Sequence, residues 1–380
     1  MAHIPQAVVI VRGPHNASEP NHESELQRQL QSISSNVTHL LIDEDTPSDT
    51  EWTLLGAHFH NVEDLQLESG FNEELNDKAI PLHWPLKKLQ LNSACGALVQ
   101  SPFVRQGLVH HLNLYFTCNL RFEGPTNDEL YDTNREAISR GKKQQNLGPD
   151  RKIEITYLPE LVCESMSKVY SDPDRRLDPE NEPPTGAINL QSLEIWENDA
   201  LDTFIRMYGA LPHLVDNLHT LRLRSTSGLD FSLTGEETLR QILPALENLK
   251  VLNLTVGYVF EDPLYLPTLH KVLPPNITAL YFRGPTSLAK SDHWADWLRA
   301  FESAEFLPHL QNLAFVLDLH YDDKQARYGR REIEPPLDSL HYARRECQSL
   351  YDIASKRGIQ LEAMPKEPDF QLLRPVDPRW

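Results

Sequence analysis

The chain has 380 residues, 40 % hydrophobic and 24 % charged, which supplies a sizeable core and excludes wholesale disorder. Its 55 acids against 36 bases leave a formal net charge of −19, which argues against nucleic acid as the main ligand. No stretch approaches the roughly 20 consecutive apolar residues of a membrane helix, and the opening MAHIPQAVVIVRGPH lacks the basic region and cleavage pattern of a secretory signal.

In chain order, Ala7–Val11 reads as a strand and SELQRQLQSI, from Ser24, as a helix, together a capping unit over residues 1–35. From there one pattern, apolar-x-x-Leu-x-apolar, recurs. It appears as NVTHLLI at Asn36, NVEDLQL at Asn61, PLKKLQL at Pro85 and LVHHLNL at Leu108. It returns as NLQSLEI at Asn189, NLHTLRL at Asn217, NLKVLNL at Asn248, NITALYF at Asn276 and HLQNLAF at His309. Asn opens most of them. The alternating ends (Leu65/Leu67, Leu89/Leu91, Leu112/Leu114, Leu221/Leu223, Leu252/Leu254) predict half-buried strands.

The interval between Leu112 and Leu193 is too long for one repeat, and RKIEITYL at Arg151 reads as a strand filling it. Two polar stretches flank that strand. Residues 123–150 read as an insertion with a short helix from Asn127, and residues 171–186 are too rich in Pro, Asp and Glu for a regular element. Further helices are predicted at LDTFIRMYGALPHLV from Leu201, TGEETLRQILPALE from Thr234 and SDHWADWLRAFESAEFLPHL from Ser291. In the second, Thr234 and Glu237 form a capping box. The last helix, PLDSLHYARRECQSLYDIASKRG from Pro336, ends in a Gly suited to a helix stop. Residues 321–380 are expected to hold this helix, a last strand and a proline-rich tail (from Met364) that caps the end.

The repeats at 36–320 resemble the leucine-rich repeat family, whose pattern is L-x-x-L-x-L-x-x-N/C. Their leucines are kept, whereas the N/C position is Asn198 in one repeat but Gly70, Ala94, Thr117, Thr226 and Gly257 in others. Their uneven spacing resembles the repeats that follow F-box motifs in ubiquitin-ligase substrate receptors, although no F-box is visible in the first 35 residues. The resemblance implies an α/β leucine-rich-repeat solenoid of about ten strands, with a curved parallel sheet on the concave side and helices on the convex side. Between the inward leucines, the x positions would line the concavity. They are Glu63, Asp64, Gln66, Glu68, Lys87, Lys88 and Gln90, then His110, His111, Asn113, Tyr115 and Phe116. Glu194, Trp196, Glu197, His219, Arg222, Arg224, Lys250, Asn253, Tyr281 and Arg283 follow. Trp, Tyr and Arg are the types enriched in binding hot spots. Tyr115, Phe116, Glu194, Trp196, Arg222, Arg224, Lys250, Tyr281 and Arg283 are therefore the expected partner-binding residues, suited to a carboxylate- or phosphate-bearing protein or peptide.

Nothing in the chain matches GxGxxG, GxxxxGK[ST] or GxSxG, and HESEL at His22 lacks the second histidine of HExxH. His58 and His60 would share a strand face, and His110 and His111 are adjacent, but no further ligand is placed beside them. No catalytic residue, metal or cofactor is therefore expected. Cys95, Cys118, Cys163 and Cys347 form no CxxC pair and are too sparse for a disulfide scaffold, which favours a cytoplasmic or nuclear location. Sequons at Asn16, Asn36, Asn253 and Asn276 read as chance. The expectation is a monomeric, non-catalytic interaction scaffold, with no nucleic acid and no membrane. The alternatives are a ubiquitin-ligase substrate receptor with a lost or divergent F-box, and an enzyme or metal protein using rim-loop residues.

Overall fold

The computed structural model describes residues 6–11, 22–43, 46–68, 76–92, 99–117, 145–147, 153–155, 188–197, 200–225, 242–256, 266–320 and 335–365. The capping box expected at Thr234 and Glu237, the helix expected from Asn127, residues 171–186 and the tail beyond 365 lie outside them.

The strands are β1 Gln6–Ile10, β2 His39–Asp43, β3 Asp64–Glu68, β4 Lys88–Asn92, β5 His111–Tyr115, β6 Gln145–Leu147 and β7 Ile153–Ile155. They continue as β8 Ser192–Glu197, β9 Thr220–Ser225, β10 Val251–Thr255, β11 Ala279–Pro285, β12 Asn312–Leu319 and β13 Gln360–Leu361. Eleven of them form one sheet in the order β1-β2-β3-β4-β5-β8-β9-β10-β11-β12-β13. Every pairing in it is parallel. The class is α/β.

The leucines set the register. Leu40, Leu65, Leu89, Leu112, Leu193, Leu221, Leu252, Leu280 and Leu313 stand opposite one another along one row. Ile42, Leu67, Leu91, Leu114, Ile195, Leu223, Leu254, Phe282 and Phe315 form a second. All are buried, and they merge with helix residues such as Trp52, Leu55, Phe204 and Trp297 into one apolar core. A slip of one residue would turn a whole row of leucines to the opposite face, so the register is strongly specified.

The strand expected at RKIEITYL does not join this sheet. β7 pairs antiparallel with β6 in a separate two-stranded ribbon. β5 pairs directly with β8, Leu112 opposite Leu193, so the matching leucines leave no edge free for a strand between them.

The expected helices span His22–Ser32, Ala200–Ala210, Trp294–Glu302 and Leu337–Lys356. Buried Trp294, Trp297 and Phe301, and buried Ala343, Cys347, Leu350 and Ala354, follow helical spacing. The last helix stops at Gly358, whose φ of +77° is a left-handed conformation that a side chain resists. A helix at Asp49–His58 is absent from the periodicity reading. A capping box starts it: Ser48 Oγ accepts from the Glu51 amide at 3.3 Å, and Glu51 Oε2 accepts from the Ser48 amide at 2.7 Å. Among the described residues no helix is long and apolar enough to cross a membrane.

Two ladders tie each repeat to the one before it. In the first, a single carbonyl just before each strand accepts two consecutive amides from the next repeat. Thr38 takes Glu63 and Asp64, Glu63 takes Lys87 and Lys88, Lys87 takes His110 and His111, and His110 takes Gln191 and Ser192. The series continues through Gln191, His219, Lys250 and Thr278. The second uses the asparagines that open the repeats. Nδ2 of Asn189 donates to the Leu108 carbonyl at 3.1 Å and that of Asn217 to Ile188 at 3.1 Å. Asn248 reaches Asp216 at 2.7 Å, and Asn276 reaches Glu247 at 2.8 Å. An asparagine ladder therefore exists ahead of the strands.

Candidate binding face

With the leucines on one face, alternation sends the intervening side chains to the other. Gln66, Gln90, Asn113, Glu194, Arg222, Asn253 and Tyr281 stand in one register row on that face. Glu68, Asn92, Tyr115, Trp196, Arg224, Thr255 and Arg283 form the next.

A hydrogen-bonded chain crosses the strands. Asn92 Nδ2 donates to Glu68 Oε1 at 3.2 Å, and Gln90 Nε2 donates to Asn92 Oδ1 at 3.2 Å. Asn113 Nδ2 reaches Gln90 Oε1 at 3.4 Å and the Tyr115 hydroxyl at 3.3 Å. Burial, and next the Glu194 carboxylate beside it, push the Tyr115 phenol above its ordinary range. Glu194 Oε2 lies 3.6 Å from Arg222 Nη1.

An aromatic cluster sits beside this chain. Trp196 meets Tyr115 edge-on at 6.1 Å between ring centroids and Phe116 at 5.6 Å. The Arg224 guanidinium lies over the Trp196 ring at 5.3 Å. Phe116 has a φ of 51°, and its amide donates to the Trp196 carbonyl at 2.7 Å. That bond holds the strained residue against the next strand of the sheet.

The structure thus brings Tyr115, Phe116, Glu194, Trp196, Arg222 and Arg224 together, but not as open as their strand positions imply. Tyr115, Glu194, Trp196 and Arg224 are buried, Arg224 with 6 % of its surface accessible. Arg222, Phe116, Tyr281 and Arg283 are half-buried, and Lys250 is exposed just before β10. Arg283 pairs with Asp318, with Nε–Oδ1 at 2.8 Å and Nη2–Oδ2 at 3.1 Å.

Of the histidine pairs considered as ligands, His58 ties its repeat to an earlier one, and His83 and His213, outside those pairs, do the same. His58 Nε2 contacts the Ile33 carbonyl at 2.9 Å, and His83 Nε2 contacts that of Gly56 at 3.1 Å. His213 Nε2 contacts that of Arg105 at 2.9 Å. Each reaches a carbonyl of an earlier repeat near a helix end. Among the described residues no group of three or more His, Cys, Asp or Glu is placed to hold a metal ion. Cys347 is a buried free thiol, pushed up to about 12 by burial.

Sequence reasoning placed Asn253 on this face without weight, and gave no role to Glu362. Tyr281 donates its hydroxyl hydrogen to Glu362 Oε2 at 2.7 Å, and Arg224 Nη2 donates to the Pro365 carbonyl at 3.1 Å. The signal for Asn253 was in NLKVLNL itself, a side chain with both donor and acceptor amid leucines. Glu362 carries none, because its partner lies 81 residues away.

No family model matches the chain, and no curated protein matches it.

Proposed function

We propose that the chain is a leucine-rich-repeat solenoid that works as a non-catalytic interaction scaffold. It binds an acidic protein segment, carboxylate- or phosphate-bearing, on the polar face of its sheet. The observation that carries the reading is the division of the sheet into two unlike faces. One is apolar throughout, mostly leucine, and the other sets Tyr115, Phe116, Trp196, Arg222 and Arg224 side by side in a chain of net charge −19. Stacked repeats bury their apolar rows against neighbours and leave one broad sheet face for a ligand. Planar guanidinium groups beside aromatic rings suit carboxylate and phosphate.

Arg222 and Lys250 are the cations to alter, because both reach the surface whereas Arg224 is buried. The full chain and its Arg222→Glu/Lys250→Glu variant are challenged with an array of acidic, phosphorylated and neutral peptides at two salt concentrations. Retention of acidic or phosphorylated peptides by the unaltered chain, weakened by salt and lost in the variant, is the expected result. Equal retention by both chains removes the polar face as the binding surface.

A further inference from the structure

Past β13 the chain reaches back over the polar face. β13 pairs with β12, and the Glu362 amide still donates to the Leu313 carbonyl at 2.9 Å. The next contacts are those of Glu362 with Tyr281 of β11 and of Pro365 with Arg224 of β9. Between those two strands lies β10, where Asn253 stands opposite Arg222 on one side and Tyr281 on the other. The contacts of Glu362 and Pro365 therefore flank β10 on its two sides.

Asn253 is 1 % exposed, and neither its Oδ1 nor its Nδ2 has a hydrogen-bond partner. Arg224 Nη1 is likewise buried without one. Buried polar groups nearly always find partners, so unmet groups at the middle of a face call for one from water or from a ligand. A primary amide offers an acceptor and donors together, which complements a peptide bond. Tyr281 adds a donor for a carboxylate, and Arg224 adds one for a carbonyl. Its contact with Glu362 also helps push the Tyr281 phenol up to about 12, after burial as the first cause.

We propose that Tyr281, Asn253 and Arg224 form a subsite for an extended, carboxylate-bearing peptide, and that residues 362–365 occupy part of it as a tethered competitor of the partner. The inference rests on the reading of the polar face as a peptide-binding surface. The tail meets the two outer groups and leaves the amide of Asn253 unmet, so it is an incomplete ligand held by its tether. A partner that also satisfies Asn253 makes more contacts and displaces it. A tether raises the effective concentration of its own segment, so the site is closed until such a partner arrives.

The test uses a synthetic peptide of residues 358–370 and two forms of the full chain, unaltered and Glu362→Lys. Calorimetric titration is expected to show tighter binding to the Glu362→Lys chain, by about tenfold if the tail closes nine molecules in ten. The peptide carrying Glu362→Lys binds neither. Adding Tyr281→Phe to the Glu362→Lys chain, which removes the hydroxyl that donates to Glu362, weakens the peptide, whereas adding Asn253→Ala leaves its affinity unchanged because the tail does not meet that amide. Glu362→Gln, which keeps the side chain's shape, must move the affinity in the same direction even where lysine disturbs folding. Equal affinity for both chains, or no binding to either, overturns the tethered competitor. An acidic peptide that binds the unaltered chain through Arg222 and is not displaced by the tail peptide leaves the binding face standing and removes this inference alone.

Discussion

Asn248 donates its side-chain amide to the Asp216 carbonyl at 2.7 Å, and Asp216 is the residue just before Asn217, which opens the preceding repeat. Asn276 repeats the relationship with Glu247, the residue just before Asn248. The bond therefore works as a spacer between successive repeats. Asn248→Ala leaves a backbone carbonyl short of its donor and is expected to lower unfolding free energy by about 1 kcal/mol. Asn248→Asp, which lacks the donor, should lose at least as much. Chemical denaturation with an unchanged midpoint for both variants would show that the ladder adds nothing.

Asp77 is fully buried, and its carboxylate accepts from the amides of Gln100 at 3.1 and 3.0 Å and of Ser101 at 3.0 Å. Burial raises its pKa from 3.8 to about 6, against the pull of those amides. The folded state then holds a proton that the unfolded state has released, so this group's contribution falls as pH rises from about 4 to about 6 and is flat above that. The difference amounts to about 3 kcal/mol at most. Asp77→Asn should remove that decline while other carboxylates keep their own pH dependence. Parallel stability–pH curves for the two proteins across this window would refute the buried titration.

Arg224 stacks on Trp196 and binds a carbonyl, and both contacts need a planar guanidinium. Arg224→Lys keeps the charge but loses the plane, with an expected loss of about 1–3 kcal/mol. Thermal unfolding within a degree of the unaltered protein would mean that the stack carries no energy.

Gly107 and Gly358 separate two costs of an added methyl group. Both have positive φ, +59° and +77°. A Cβ on Gly107 would lie 2.7 Å from Ile188 Cγ2, whereas one on Gly358 would meet nothing within 4 Å. Gly358→Ala should cost about 1–2 kcal/mol from backbone conformation alone. Gly107→Ala should cost more. Equal losses would show that Ile188 moves aside freely.

Much of this fold was legible. A leucine two residues from another leucine, recurring along the chain, specifies a strand, its buried face and its neighbour at once. The residues alone therefore set Leu65 beside Leu89. Ile153 and Ile155 show the limit. They have the alternation of a repeat strand, but membership of the sheet was decided by Leu112 and Leu193, 81 residues apart, finding each other. The helix at Asp49–His58 was marked only by Ser48 and Glu51, a signal of caps that periodicity does not see. The candidate site was legible as a set of side chains but not in its burial. Which strand positions stay open depends on what crosses the face, and the return of Glu362 to Tyr281 leaves no pattern in the residues between.

The direct pairing of β5 with β8 makes the sheet indifferent to the long stretch that joins them. Closing a loop grows more costly only with the logarithm of its length, so the two halves are held together by matching edges more than by the covalent link. A backbone nick in that stretch would leave two fragments, each ending in a strand whose unmet amides and carbonyls fit the other. Cleavage in that stretch would leave the pairing of β5 with β8 itself uncut.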